Sequence, residues 1–167
     1  MSHHVPDSLV DKLAIRAFEP PLSDRRWNAE IRDLSDPVNV GLLIVDFETE
    51  VTMNGIADFI GNHTGSYAQE IVQALAVVQS TRAAELLAHI LETASAAGMT
   101  HPAIQSDRGG LAPFSITSFR ELHGDKWRAA LDNMYRLADQ IDFEQVWADL
   151  DAYTRAHHER FETALRS

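Results

Sequence analysis

The chain contains no cysteine. That absence removes disulfides, Cys-ligated zinc, iron–sulfur clusters and thiol nucleophiles. No apolar run approaches the ~20 residues that a membrane-spanning helix needs. The first residues, "MSHHVPDSLVDKLAIRAF", lack a basic segment followed by a long apolar one, so no signal peptide is expected. Several catalytic spacings are also missing: Gly-x-Ser-x-Gly, His-Glu-x-x-His, Gly-x-Gly-x-x-Gly and the Gly-Lys-Ser/Thr of a phosphate loop. A cytoplasmic, bacterial-type protein that is not an enzyme and uses no metal or cofactor fits these absences.

Basic charge is scarce. Lys and Arg number 14 against 25 Asp and Glu, for a net charge of −11. Direct binding to nucleic acid or to an anionic membrane is disfavoured, because both need basic surface. The scarcity is also uneven. From Asp33 to Thr81 there is no Lys or Arg, while Asp33, Asp36, Asp46, Glu48, Glu50, Asp58 and Glu70 are acidic. A second base-free block, Leu137 to Thr154, holds Asp139, Asp142, Glu144, Asp149 and Asp151. Basic residues gather instead at 12–32, 108–136 and 155–166. Such blocks suit a partner with a positive patch, or else an ordinary solubilising surface.

What is present reads as helix. Asp7-Ser8 caps "LVDKLAIRAF", which Glu19-Pro20-Pro21 stops. A short helix over 24–34 is expected to turn Trp27 and Ile31 inward. Asp36 and Pro37 open "VNVGLLIVDFETEV", whose apolar residues cover two sides and so predict a doubly buried helix. Its β-branched content leaves a strand as the alternative. Ile71, Leu75 and Val78 share one face of the next helix, and Ser80 is expected to cap "TRAAELLAHILETASAA" before Gly98. Residues 99–117 read as one long irregular segment, the usual form of a functional loop. A short helix near Ser118, a helix with Trp127, Leu131 and Met134 on its core face, and a last helix capped by Asp142 complete the chain. No internal repeat appears. The expected fold is all-α, a single-domain bundle of about seven or eight helices.

Eight histidines invite a metal site, but His157 and His158 are adjacent and point about 100° apart on a helix. A chelating pair is not expected from them. The stretch "VTMNGIADFIGNHTG", Val51 to Gly65, is rich in Gly, Asn and Asp and offers two readings, a ligand-cradling loop or a joint between short helices. Backbone geometry favours the joint: Asn54-Gly55 ends one helix, "IADFI" forms a short one, and Asn62 with Thr64-Gly65 turns into the next.

Helix-borne carboxylates supply the remaining chemistry. Glu144 and Asp151 stand two helical turns apart, ~10.5 Å. Asp46 and Glu50 stand one turn apart, ~5–6 Å. Phosphates along a DNA strand recur on that scale, although any acidic helix offers such pairs.

The segment "EVTMNGIADFIGNHTGSYAQEIVQALAVV" resembles the signature of a family of bacterial helical domains of unknown function, the DNA-mimic family of the Neisseria type. Glu50, Val51, Gly55, Phe59, Asn62 and Gly65 match its Asn-Gly-Gly-Phe region, followed by Glu70, Ala74 and Leu75. "LDNMYRLADQIDFEQVWADLDAYTRAHHERF" is similar to its C-terminal part, so the resemblance spans 36–161. The family's first Asn and Gly fall here on Met53 and Asn54, its aromatic on Ile56 and its Gln on Asp58. The resemblance implies a helical fold, no catalysis, a homodimer and, as in its DNA-mimic member, occupation of a DNA-binding protein.

The first expectation is therefore an acidic protein that binds a basic protein surface, with DNA mimicry as its sharpest form. Asp46, Glu48, Asp58, Glu70, Asp139, Glu144, Asp149 and Asp151 are the candidate contacts. Glu50, Gly55, Phe59, Asn62 and Gly65 are the structural motif, with Glu50 reserved for satisfying backbone groups of the joint. Two alternatives stay open. One is a small-molecule-binding or catalytic protein using the 99–117 segment with Asn62, His63, His101 and Asp107. The other is a toxin-neutralising, immunity-type protein.

Overall fold

The computed structural model describes residues 8–108 and 119–166. Among them are ten α-helices, three 3-10 helices and no strand. The fold is all-α. The helices are α1 (Leu9–Arg16), α2 (Pro37–Asn54), α3 (Ile56–Gly61), α4 (Ala68–Val77), α5 (Thr81–Ala96), α6 (His101–Arg108), α7 (Phe119–His123), α8 (Arg128–Ala138), α9 (Phe143–Ala156) and α10 (His158–Arg166).

The axis of the bundle is α2. Asp36 caps it by accepting from the Val38 N–H at 3.1 Å, and Pro37 fits the first turn because no amide hydrogen is needed there. Every residue from Val38 to Phe47 is buried, so this is a helix enclosed all round and not a strand. The expectation of two buried sides is met and exceeded. Leu13 of α1 and Phe161 of α10 close on it at Gly41. Phe47 meets Phe59 of α3 at 5.2 Å and Phe143 of α9 at 5.5 Å between ring centroids. Full burial of Phe47 and Phe59 contributes about 2–3 kcal/mol apiece by transfer from water.

On another side α4 and α5 form a hairpin, and α8 packs along α5 and α3. The hairpin turns at Gln79, whose φ of 72° is left-handed, with the Ser80 N–H donating to Leu75 O at 2.9 Å. That is a helix C-terminal turn in which glycine would be the relaxed residue. Ser80 stands at the N-cap of α5, but its hydroxyl does not cap the helix. It donates to Asp149 Oδ2 at 2.6 Å, so a contact 69 residues away takes the group that local sequence assigns to capping.

Three further expectations change. Trp27 is 71% exposed instead of buried, although Ile31 is buried as expected. The segment folds as two 3-10 helices, Ser23–Trp27 and Ala29–Arg32, and the inward position goes to Arg26, which is 9% exposed. The last helix breaks at His157 into α9 and α10, and α6 occupies the first part of the segment expected to be irregular, which together raise the number of helices. The remainder of that segment, and the helix start expected at 117–118, lie outside the described residues.

Candidate acidic interface

The base-free block 33–81 is not base-free in space. Arginines from outside it reach back into it. Asp36 accepts from Arg25 Nη1 at 2.8 Å and from Arg160 Nε at 3.0 Å. Asp58 takes Arg108 Nη2 at 2.7 Å, and Glu70 pairs with Arg32. Asp46 is 3% exposed and sealed into the core, where Arg26 Nε donates to its carboxylate at 2.7 Å and the Tyr67 hydroxyl at 3.1 Å. Burial pushes the Asp46 carboxyl up, and Arg26 and Tyr67 oppose that push without cancelling it. Asp46 is therefore removed from the surface contacts. Its role is to hold the 3-10 segment, the end of α1 and Tyr67 on α2, since Arg26 also donates to Ala17 O.

The second block differs. Asp151 pairs with Arg155 at 3.0 Å along its own helix. Asp139, Asp142, Glu144 and Asp149 have no Lys or Arg partner among the described residues. Asp139, Asp142 and Glu144 follow one another where α8 turns into α9, and Asp149 stands further along α9. Asp142 accepts from the Gln145 N–H at 3.0 Å and so caps α9, while Glu144 sits in its first turn, where the positive helix end favours an anion. Asp149 is held on both oxygens, by Ser80 Oγ at 2.6 Å and Gln145 Nε2 at 2.8 Å. Between α9 and the α4–α5 turn runs a cleft of about 240 Å³, lined in part by Gln79, Arg82, Asp142 and Asp149. Glu48 is half-buried on α2 and accepts from Thr52 Oγ1 at 3.2 Å. Of the eight expected contacts, Asp139, Glu144 and Asp149 are left without a Lys or Arg partner among the described residues. Asp58, Glu70 and Asp151 are neutralised by arginine. Asp142, which the sequence places in the same block and at the cap of the last helix, likewise has no Lys or Arg partner among the described residues.

The Val51–Gly65 stretch is a joint. Gly55 ends α2 at φ 85°, a conformation that suits glycine. Glu50 Oε2 accepts from Asn54 Nδ2 at 3.0 Å and Asn62 Nδ2 at 2.8 Å, so it satisfies side-chain amides and not backbone groups. Arg108 of α6 donates to Asn62 Oδ1 at 3.0 Å, which docks α6 onto α3 through the same asparagine. Phe59 is fully buried. At Gly65 a Cβ would collide with the Ile60 carbonyl oxygen.

The residues of the alternative site do not converge. His63 stacks on Trp27 at 4.3 Å and bonds through Nε2 to Arg26 O at 2.6 Å. His101 bonds through Nδ1 to Ile60 O at 3.0 Å and lines a different cleft. Asp107 is held by Lys126 and by His123 Nδ1 at 3.0 Å, and these two keep its carboxyl below the usual range. The sequence gives no signal for the Asp107–His123 contact. Among the described residues no three metal-ligating side chains cluster, and no helix is long and apolar enough to cross a membrane.

Neither the curated proteins nor the solved structures gave a match. A family model described as DMP19-like protein matches residues 32–157, well over half of the 167 residues. The matched span holds the Val51–Gly65 joint, α8 and all of α9, and the chain belongs to the DMP19-like protein family.

Proposed function

We propose that this protein is a non-enzymatic, cytoplasmic acidic module that binds a basic protein surface through the α8–α9 corner. DNA mimicry toward a DNA-binding protein is the specific form of that proposal. One observation carries it: arginines pair with Asp36, Asp46, Asp58 and Glu70 of the first acidic block, whereas Asp139, Asp142, Glu144 and Asp149 of the second have no Lys or Arg partner among the described residues. Carboxylates held on a rigid helix present charge without first having to be ordered, which favours association with a positive patch. Asp142 and Glu144 also stabilise α9, so part of this charge has a structural purpose as well.

The test is affinity capture at low salt with the wild-type chain and with Asp139→Asn/Glu144→Gln, two exposed positions without structural bonds. A basic partner retained by the former and lost by the latter supports the proposal. Duplex DNA displacing the protein from that partner supports mimicry. A partner that binds no DNA, such as a basic toxin, supports the immunity-type reading instead. Retention of a neutral or acidic partner by both chains contradicts the proposal. A homodimer belongs to the mimic form, and sedimentation of the free protein as a monomer at working concentration counts against it.

A further inference from the structure

A second feature on α8 is partly apolar. Phe119, Leu131 and Tyr135 line a groove of about 290 Å³ between the α7–α8 turn and α8, with Asp125, Asp132 and Arg128 on its rim. Tyr135 is 43% exposed, and its ring edge stands over Gly55, where a Cβ would lie 3.7 Å from Cε1. Met53, two residues before Gly55, is 76% exposed. A part-exposed aromatic ring on an apolar groove, like the open Met53 at the end of α2, is surface that can be covered further.

Charge says what covers it. Arg128 leans toward Asp125 at 3.9 Å. Asp132, on the same helix face as Tyr135, is exposed and has no ion-pair partner among the described residues. The Asp58 carboxylate also acts on the Tyr135 phenol, which burial first and that negative charge second push up. The floor is thus aromatic and aliphatic, and Asp132 offers it a carboxylate with no ion-pair partner among the described residues. A hydrocarbon stem ending in a cation suits both. Arginine suits them better than lysine, because its planar guanidinium stacks on a tyrosine ring and still forks onto a carboxylate.

We infer that this groove receives an arginine side chain of the basic partner, stacked on Tyr135 and paired with Asp132. The inference rests on the proposed acidic-module function and adds an anchor to it, at a site separate from the α8–α9 corner.

The probe is acetyl-Gly-Arg-Gly-amide, with the lysine and citrulline peptides as controls, titrated into the full chain and followed by backbone amide NMR. Saturable shifts centred on Leu131–Tyr135 are expected, stronger for arginine than for lysine and absent for uncharged citrulline. Asp132→Asn and Tyr135→Leu are each expected to weaken binding about threefold, the scale of an exposed ion pair or cation–π contact. The inference is overturned if citrulline binds equally, if shifts centre on Asp139 and Glu144 instead, or if Asp132→Asn changes nothing. It is likewise overturned if the peptide does not bind and Tyr135→Leu alters sedimentation of the protein alone, because the groove is then a contact between copies. The broader function fails separately. If Asp139→Asn/Glu144→Gln abolishes partner capture while Tyr135→Leu leaves it intact, only the groove is lost. If the arginine peptide binds the groove but the captured partner is not basic, the groove stands and the function falls.

Discussion

Asn62 donates to Glu50 across the joint at 2.8 Å, while its own amide oxygen accepts from Arg108 at 3.0 Å. One asparagine therefore ties the end of α2 to α6. Glu50→Ala leaves the half-buried Asn62 amide and the exposed Asn54 amide without their charged acceptor and is expected to destabilise the fold by about 1–3 kcal/mol, read by urea unfolding. Glu50→Gln keeps one acceptor oxygen and loses less. Equal losses for the two variants would contradict a role for the acceptor oxygen that glutamine keeps.

Gly65 is the tightest point of the same joint. Because a Cβ there meets the Ile60 carbonyl, Gly65→Ala is expected to destabilise by more than about 2 kcal/mol. Thermal unfolding measures it, and a melting temperature equal to wild type contradicts the geometry.

The buried Arg26–Asp46 pair makes a different prediction. Removing one partner leaves an uncompensated buried charge, so Asp46→Ala or Arg26→Met alone is expected to lose about 3–5 kcal/mol. Arg26→Met/Asp46→Leu together is expected to recover much of that loss. A double variant as unstable as the sum of the singles would mean that the pair is not coupled.

Asp36 sets the acid limit. Burial pushes its carboxyl up, but Arg160, Arg25 and the Val38 N–H together outweigh burial and hold it below its ordinary value. A carboxyl whose folded pKa lies below its unfolded one adds stability that is present above the unfolded pKa of about 4 and is lost as pH falls through the folded value. The stability gap between wild type and Asp36→Asn is therefore expected to be constant above about pH 5 and to shrink below about pH 4. A gap independent of pH down to pH 2 contradicts the assignment.

Much of the fold was legible because its signals are local. Asp36-Pro37 opening α2, Asn54-Gly55 closing it, and Asp142 opening α9 each depend on residues within a turn of one another. The errors came from partners distant in sequence. Trp27 and Arg26 exchange places because Asp46, 20 residues on, offers a carboxylate in the core. Ser80 abandons its cap for Asp149. The acidic surface was half legible for the same reason. Composition along the chain separates acids from bases, but folding brings Arg32, Arg108 and Arg160 onto Glu70, Asp58 and Asp36. Only the 137–154 block keeps most of its charge open, and the sequence holds no sign of which block would.

The most direct test of the acidic-module proposal is the dissociation constant of the captured partner as a function of salt, for wild type and for Asp139→Asn/Glu144→Gln. Exposed charges are screened within about 8 Å at physiological ionic strength. The wild-type affinity is expected to fall steeply with added salt, and the variant to start weaker with a shallower slope. An affinity that is unchanged by salt and equal in the two chains would contradict the proposal.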